Sequence, residues 1–170
     1  MYASITFAVP PTLVIAFAIK TLGKMDSGQL KQGVDTVTMI GGYAFANTKL
    51  KSLSIPNSVL ELGGGVCSNC RELEFVDLSH NLIEIHGNSF ENCIKLKSVE
   101  IPEGVTRIGG HAFYGCSSLS YVSIPSTLYE IGSSAFRNCD SLMEIEVPGN
   151  AYINERAFKN SPTHIYRREY

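Results

Sequence analysis

The sequence predicts a solenoid of stacked, strand-containing units rather than a single globular core, and three observations predict it. One phrase, clearest from Ile108 to Glu130, recurs with starts at Ile40, Leu62, Ile85, Ile108, Ile131 and Ile153, spaced by 22, 23, 23, 23 and 22 residues. A fixed period in that range marks stacked repeats. Each copy also holds a short run alternating apolar and polar with period two, in most copies closed by a proline. Finally, Phe and Cys fall in columns, the first through Phe45, Phe90, Phe113, Phe136 and Phe158 and the second through Cys70, Cys93, Cys116 and Cys139.

Taken in order, residues 1–39 read as an irregular or degenerate N-terminal repeat or cap. Residues 1–19 hold no Lys, Arg, Asp or Glu, which leaves a targeting or membrane-associating segment as the alternative. That alternative lacks an early basic residue for a signal peptide, and Pro10-Pro11 would interrupt a spanning helix. Phe7–Leu13 instead matches Val99–Val105 in its apolar positions and its proline. Residues 40–152 make five repeats of 22–23 residues. Within them Leu50-x-x-Leu53-x-Ile55, Leu73-x-x-Val76-x-Leu78, Leu96-x-x-Val99-x-Ile101, Leu119-x-x-Val122-x-Ile124 and Leu142-x-x-Ile145-x-Val147 read as short strands with apolar residues inward. Pro56, Pro102, Pro125 and Pro148 are expected to end those strands, because proline brings no N–H to the ladder. The Ile-Gly-x-x-Ala-Phe-x-x-Cys half is expected to be a tight bend or short helical turn. Residues 153–170 keep Ile153, Ala157 and Phe158, then run into the charged stretch Thr163–Tyr170. They read as a partial repeat and C-terminal cap whose open edge could pair with another chain. No unit can bury its apolar face alone, so stability is a sum of rung and interface contributions.

Composition narrows the chemistry. With a formal net charge of −2, 18% charged residues and no like-charge run beyond Arg167-Arg168, nucleic acid is a poor candidate partner. The cysteine column passes to Ser161 in the last copy, which reads as small buried side chains with raised, inert thiols. Cys67-Ser-Asn-Cys70 imitates a CxxC half-site, but Cys67 falls in the Phe column, and no second CxxC or paired histidine supports zinc. His80, His86, His111 and His164 form no ladder, and Gly63–Gly65 is followed by no Gly-Lys-Ser/Thr. The expectation is a non-catalytic chain with no metal and no cofactor.

The stretch Leu73-Glu-Phe-Val-Asp-Leu-Ser-His-Asn-Leu-Ile83 fits the LxxLxLxxNxL segment of leucine-rich repeats. The other copies, with Ala-Phe-x-x-Cys-x-x-Leu-x-x-Val-x-Ile-Pro, resemble the BspA-like, type five subclass of that superfamily. The resemblance implies an α/β-type leucine-rich repeat solenoid, a curved right-handed coil with a parallel β-sheet on the concave face. Short turns or short helical turns would form most of the convex side. It further implies a protein-binding module at the cell surface or outside the cell, acting in adhesion or in host or matrix interaction. An intracellular scaffold or regulatory interaction protein is the alternative, one that reduced cysteines suit. The chain departs from the pattern by one deleted residue in the first copy and by Val66-Cys67 in place of Ala-Phe.

The outward strand positions carry the candidate binding site. One column reads Ser52, Phe75, Ser98, Tyr121, Glu144 and the next Ser54, Asp77, Glu100, Ser123, Glu146. Phe75 and Tyr121 are the expected aromatic anchors, with Ser98 between them in the first column and Ser123 a further contact in the second. Asp77, Glu100, Glu144 and Glu146 would favour a basic protein ligand.

Overall fold

A computed structural model describes residues 38–169; the readings of residues 1–19 and of the upstream degenerate repeat lie outside these. The described chain is a parallel β-solenoid of about six turns, built from twelve short strands. Among the described residues no helix forms, so the bends are turns throughout.

The period-two segments become the main sheet. It contains β2 (Ser52–Ser54), β4 (Phe75–Asp77), β6 (Ser98–Glu100) and β8 (Tyr121–Ser123), hydrogen-bonded in that order. β10 (Glu144–Pro148) packs beside β8 and pairs in parallel with β12 (His164–Arg168). Their central residues Leu53, Val99, Val122 and Ile145 are buried and their flanks face out.

Pro56, Pro102 and Pro125 do lie beyond their strands, and each carbonyl accepts a turn hydrogen bond from the residue three positions on, Val59, Val105 and Leu128. Pro148 differs: it is the last residue of β10, paired with Arg168. That is the side of β10 on which a sixth strand has been added, and Arg167 donates to the carbonyls of Gly149 and Ala151 at 2.8 and 2.9 Å, holding the two strand ends together.

The Ile half of each repeat reads in the sequence as a tight bend or short helical turn. It instead begins with a two-residue strand, and these build a second sheet. β1 (Met39–Ile40) pairs with β3 (Glu61–Leu62), and β5 (Glu84–Ile85), β7 (Arg107–Ile108), β9 (Glu130–Ile131) and β11 (Tyr152–Ile153) pair in order. Two residues are too few to show a period, which is why alternation does not reveal them.

After these strands the backbone enters the left-handed region twice per turn. One column is Tyr43, Gly65, Asn88, His111 and Ser134; the other is Asn47, Asn69, Asn92, Gly115, Asn138 and Asn160. Asparagine tolerates this conformation better than most residues. The alternation turns amides along the solenoid axis, so that Phe90 N–H reaches Ala112 O, Phe113 N–H reaches Ala135 O and Phe136 N–H reaches Ala157 O at 2.7–2.8 Å. The turns are therefore stitched rung to rung, which satisfies their buried amides.

Asn92 Nδ2 donates to Asn69 Oδ1 at 3.0 Å and Asn160 Nδ2 to Asn138 Oδ1 at 3.1 Å, with Gly115 as the gap. At Gly115, where φ is +71°, an added Cβ would stand 2.5 Å from Asn92 Oδ1. Gly115→Ala should lose about 1–2 kcal/mol from the left-handed backbone alone. Gly115→Asn, the column's usual residue, should lose less, as denaturant midpoints will show.

Two columns fill the core. Phe90, Phe113, Phe136 and Phe158 stack face to face with centroids 5.4, 5.2 and 5.2 Å apart. The cysteines do more than pack. Cys93 donates its thiol to Cys67 O, Cys116 to Phe90 O and Cys139 to Phe113 O, at 3.1–3.2 Å, and Ser161 makes the same bond to Phe136 O at 2.6 Å. The column selects a small donor, which is why Ser can replace Cys. Burial raises the thiols of Cys93 and Cys116 far above the usual range and pushes Cys139 up to about 12. With pKa values raised by burial, these three stay protonated through neutral and mildly alkaline pH. Iodoacetamide at pH 8 should leave them unlabelled in the native chain and label all three after denaturation.

Candidate functional site

The turns that follow β4 and β6, together with outward residues of β4, β6 and β8, form a groove of about 710 Å³. Five of the expected residues line it: Phe75 and Asp77 from β4, Ser98 and Glu100 from β6, and Ser123 from β8. Parallel register produces this, since Phe75 pairs with Ser98, Ser98 with Tyr121 and Glu100 with Ser123. Tyr121, Glu144 and Glu146 occupy the same two columns on β8 and β10 but lie outside the groove. Phe75 is 52% and Tyr121 56% exposed, large values for aromatic side chains on a sheet. Standing two strands apart, their backbones are about 10 Å from one another, twice the usual strand spacing.

His80 and Glu103 join the groove wall from the turns after β4 and β6. Column reading of the strands missed them because they lie beyond the strand ends. Their signal is the variable position after the proline column, which reads Asn57, His80, Glu103, Ser126. The last strand was missed too. His164 pairs with Glu144 and Tyr166 with Glu146, so both outward columns run on into β12, at a spacing of 20 rather than 23 residues. Their rings meet edge to face with centroids 4.5 Å apart.

The face has two electrostatic flanks. On the side where the chain enters the strands, Lys95 pairs with Glu72 at 2.6 Å and Lys97 with Glu74 at 2.7 Å. Each lysine holds its carboxylate below the usual range, chiefly through the hydrogen bond. Lys97 also stands over the Phe75 ring, 5.1 Å from its centroid, so the aromatic anchor already carries one cation on its face. On the side where the chain leaves, Asp77 accepts from Ser54 Oγ at 2.9 Å, and Glu103 accepts from the Ser126 amide and hydroxyl at 3.1–3.2 Å. Among the described residues Asp77, Glu100, Glu144 and Glu146 make no ion pair. Asp77, Glu100 and Glu146 share the exit column and make this flank acidic.

Among the described residues no group of three or more His, Cys, Asp or Glu side chains could hold a metal ion. On the second sheet Arg107 bridges Glu84 and, at 3.1 Å, Glu130, with His86 Nδ1 3.5 Å from Glu84. Arg107 and its two glutamates are charges paired with each other along a partly exposed column.

A stack of 22–23-residue parallel rungs with Phe and Cys columns and an open main sheet defines a leucine-rich repeat solenoid. The sequence matches the BspA type leucine rich repeat region in six copies over residues 38–164, and the chain belongs to that family. Repeats of this kind generally mediate protein–protein interaction. The solenoid is similar to a leucine rich cell surface protein of Faecalibacterium prausnitzii A2-165, at 39% identity and a TM-score of 0.62 over 64% of this chain and 29% of that one. A leucine-rich repeat protein of Eubacterium ventriosum is 27% identical with a TM-score of 0.69, covering 74% of this chain and 35% of that one. The T. pallidum leucine rich repeat protein is 27% identical with a TM-score of 0.65, covering 76% and 66% respectively. The chain thus spans about a third of the length of the first two. No curated protein matches it.

Proposed function

We propose that this chain is a non-catalytic adhesion module of the cell surface that holds an extended, basic segment of a protein ligand on its main sheet. The observation that carries the reading is the groove, in which Phe75, Asp77, Ser98, Glu100 and Ser123, from three successive strands, converge with His80 and Glu103. Exposed aromatics supply contact area at small entropic cost, and an exposed acidic row steers a cationic partner and fixes its register. The surface location of the Faecalibacterium relative supports the placement outside the cell.

Selection of random heptapeptides displayed on phage against the immobilised chain tests the site. Peptides enriched in Lys and Arg are expected, and they should lose binding to the Phe75→Ser/Tyr121→Ser variant. Enriched peptides without a basic excess, or ones that bind the variant equally well, would overturn the reading.

A further inference from the structure

Rung two departs from the others in its core as well as its surface. Where the other rungs place a Phe ring, it has Cys67, and the Phe stack stops at Phe90. Cys67 sits three residues before Cys70 on the same buried turn, near enough for each thiol to shift the titration of the other. The turn is closed by Cys70 N–H donating to Cys67 O at 3.1 Å, with Asn69 at φ 58°. A turn of this kind holds its end Cα atoms within about 7 Å, which overlaps the separation of about 4.4–6.8 Å that a disulfide spans.

We propose that Cys67 and Cys70 form a thiol–disulfide site that closes an intrachain bridge by exchange with a small-molecule disulfide, while Cys93, Cys116 and Cys139 stay reduced. The five thiols, all unbridged here, divide by environment. Cys93, Cys116 and Cys139 each spend their proton on a backbone carbonyl, and their column neighbours lie on other rungs. Cys70 has a choice. As a thiol it donates to Phe45 O, 2.9 Å away; as a thiolate it accepts from Cys67 and from Thr48 Oγ1 at 3.3 Å. The Cys67 hydrogen bond, with help from Thr48 and against burial, draws Cys70 down to about 6, whereas that bond and burial send Cys67 well up.

Cys70 is therefore the attacking sulfur. Its thiolate displaces one thiolate from the small disulfide and forms a mixed disulfide. Cys67 then loses its proton and attacks Cys70 Sγ, releasing the second thiolate. Two electrons pass from the pair to the reagent, and the two protons go to the departing thiolates. Both sulfurs are buried, so the reagent enters when the turn of residues 41–49, whose Phe45 and Thr48 meet Cys70, opens locally.

The test treats the full folded chain with oxidised glutathione, quenches with acid, denatures and alkylates with iodoacetamide. The expected product is lighter than the reduced chain by two hydrogens before alkylation and takes three carbamidomethyl groups instead of five. The missing hydrogens should map to tryptic peptide 52–71, which holds both cysteines. Five alkylated cysteines, a bridge through Cys93, Cys116 or Cys139, or a lasting glutathione adduct on one sulfur would each overturn the proposal. In Cys67→Ser the mixed disulfide on Cys70 has no resolving thiol, so one glutathione adduct on Cys70 and three alkylated cysteines are expected, and the wild-type result stands by itself if that variant fails to fold.

Discussion

Phe113→Ala should destabilise the chain by about 3–5 kcal/mol, the usual range for deleting a buried aromatic ring. Phe113 is fully buried and stacked on both faces, against Phe90 at 5.4 Å and Phe136 at 5.2 Å. Its removal opens a cavity and strips a stacking partner from the rungs on either side. Phe158→Ala should cost less, since Phe158 is half-buried and stacked on Phe136 alone. Guanidinium unfolding followed by far-UV circular dichroism reads both. A loss below about 1 kcal/mol at Phe113 would show that rung-to-rung packing does not rest on the ring column.

Affinity for a basic peptide recovered on the main sheet should fall at least about thirtyfold in Phe75→Ser/Tyr121→Ser, the scale of losing a hot-spot aromatic. Replacing Asp77 and Glu100 by Asn and Gln should act differently. These carboxylates are exposed and make no ion pair, so their removal should mainly slow association and flatten the dependence on salt. Lys97→Ala makes the third arm. It uncovers the Phe75 ring and removes the one cation standing on it, so a cationic peptide should bind more tightly.

The columns of the sequence carried the solenoid, the buried Phe and Cys series and the two outward rows of the main sheet, because side chains at one repeat position share one environment. What escaped was whatever the spacing does not encode. β12 was hidden by a register of 20 residues, although His164-Ile-Tyr-Arg-Arg extends both outward rows. His80 and Glu103 reach the groove from turns, whose direction depends on the bend after the strand. The left-handed asparagine column leaves a visible trace in the letters, but its consequence, amides turned along the axis, is a backbone property. Lys97 over Phe75 depends on a rotamer, and the meeting of Cys67 with Cys70 on a thiol filling less space than a phenyl ring.

The most direct test of the binding account is photo-crosslinking of a selected basic peptide that carries a benzoyl-phenylalanine, with the attachment points mapped by mass spectrometry. Attachment to residues of β4, β6 and β8 and to the turns at His80 and Glu103 is the predicted result. Attachment along the second sheet, around Glu84, Arg107 and Glu130, would contradict it.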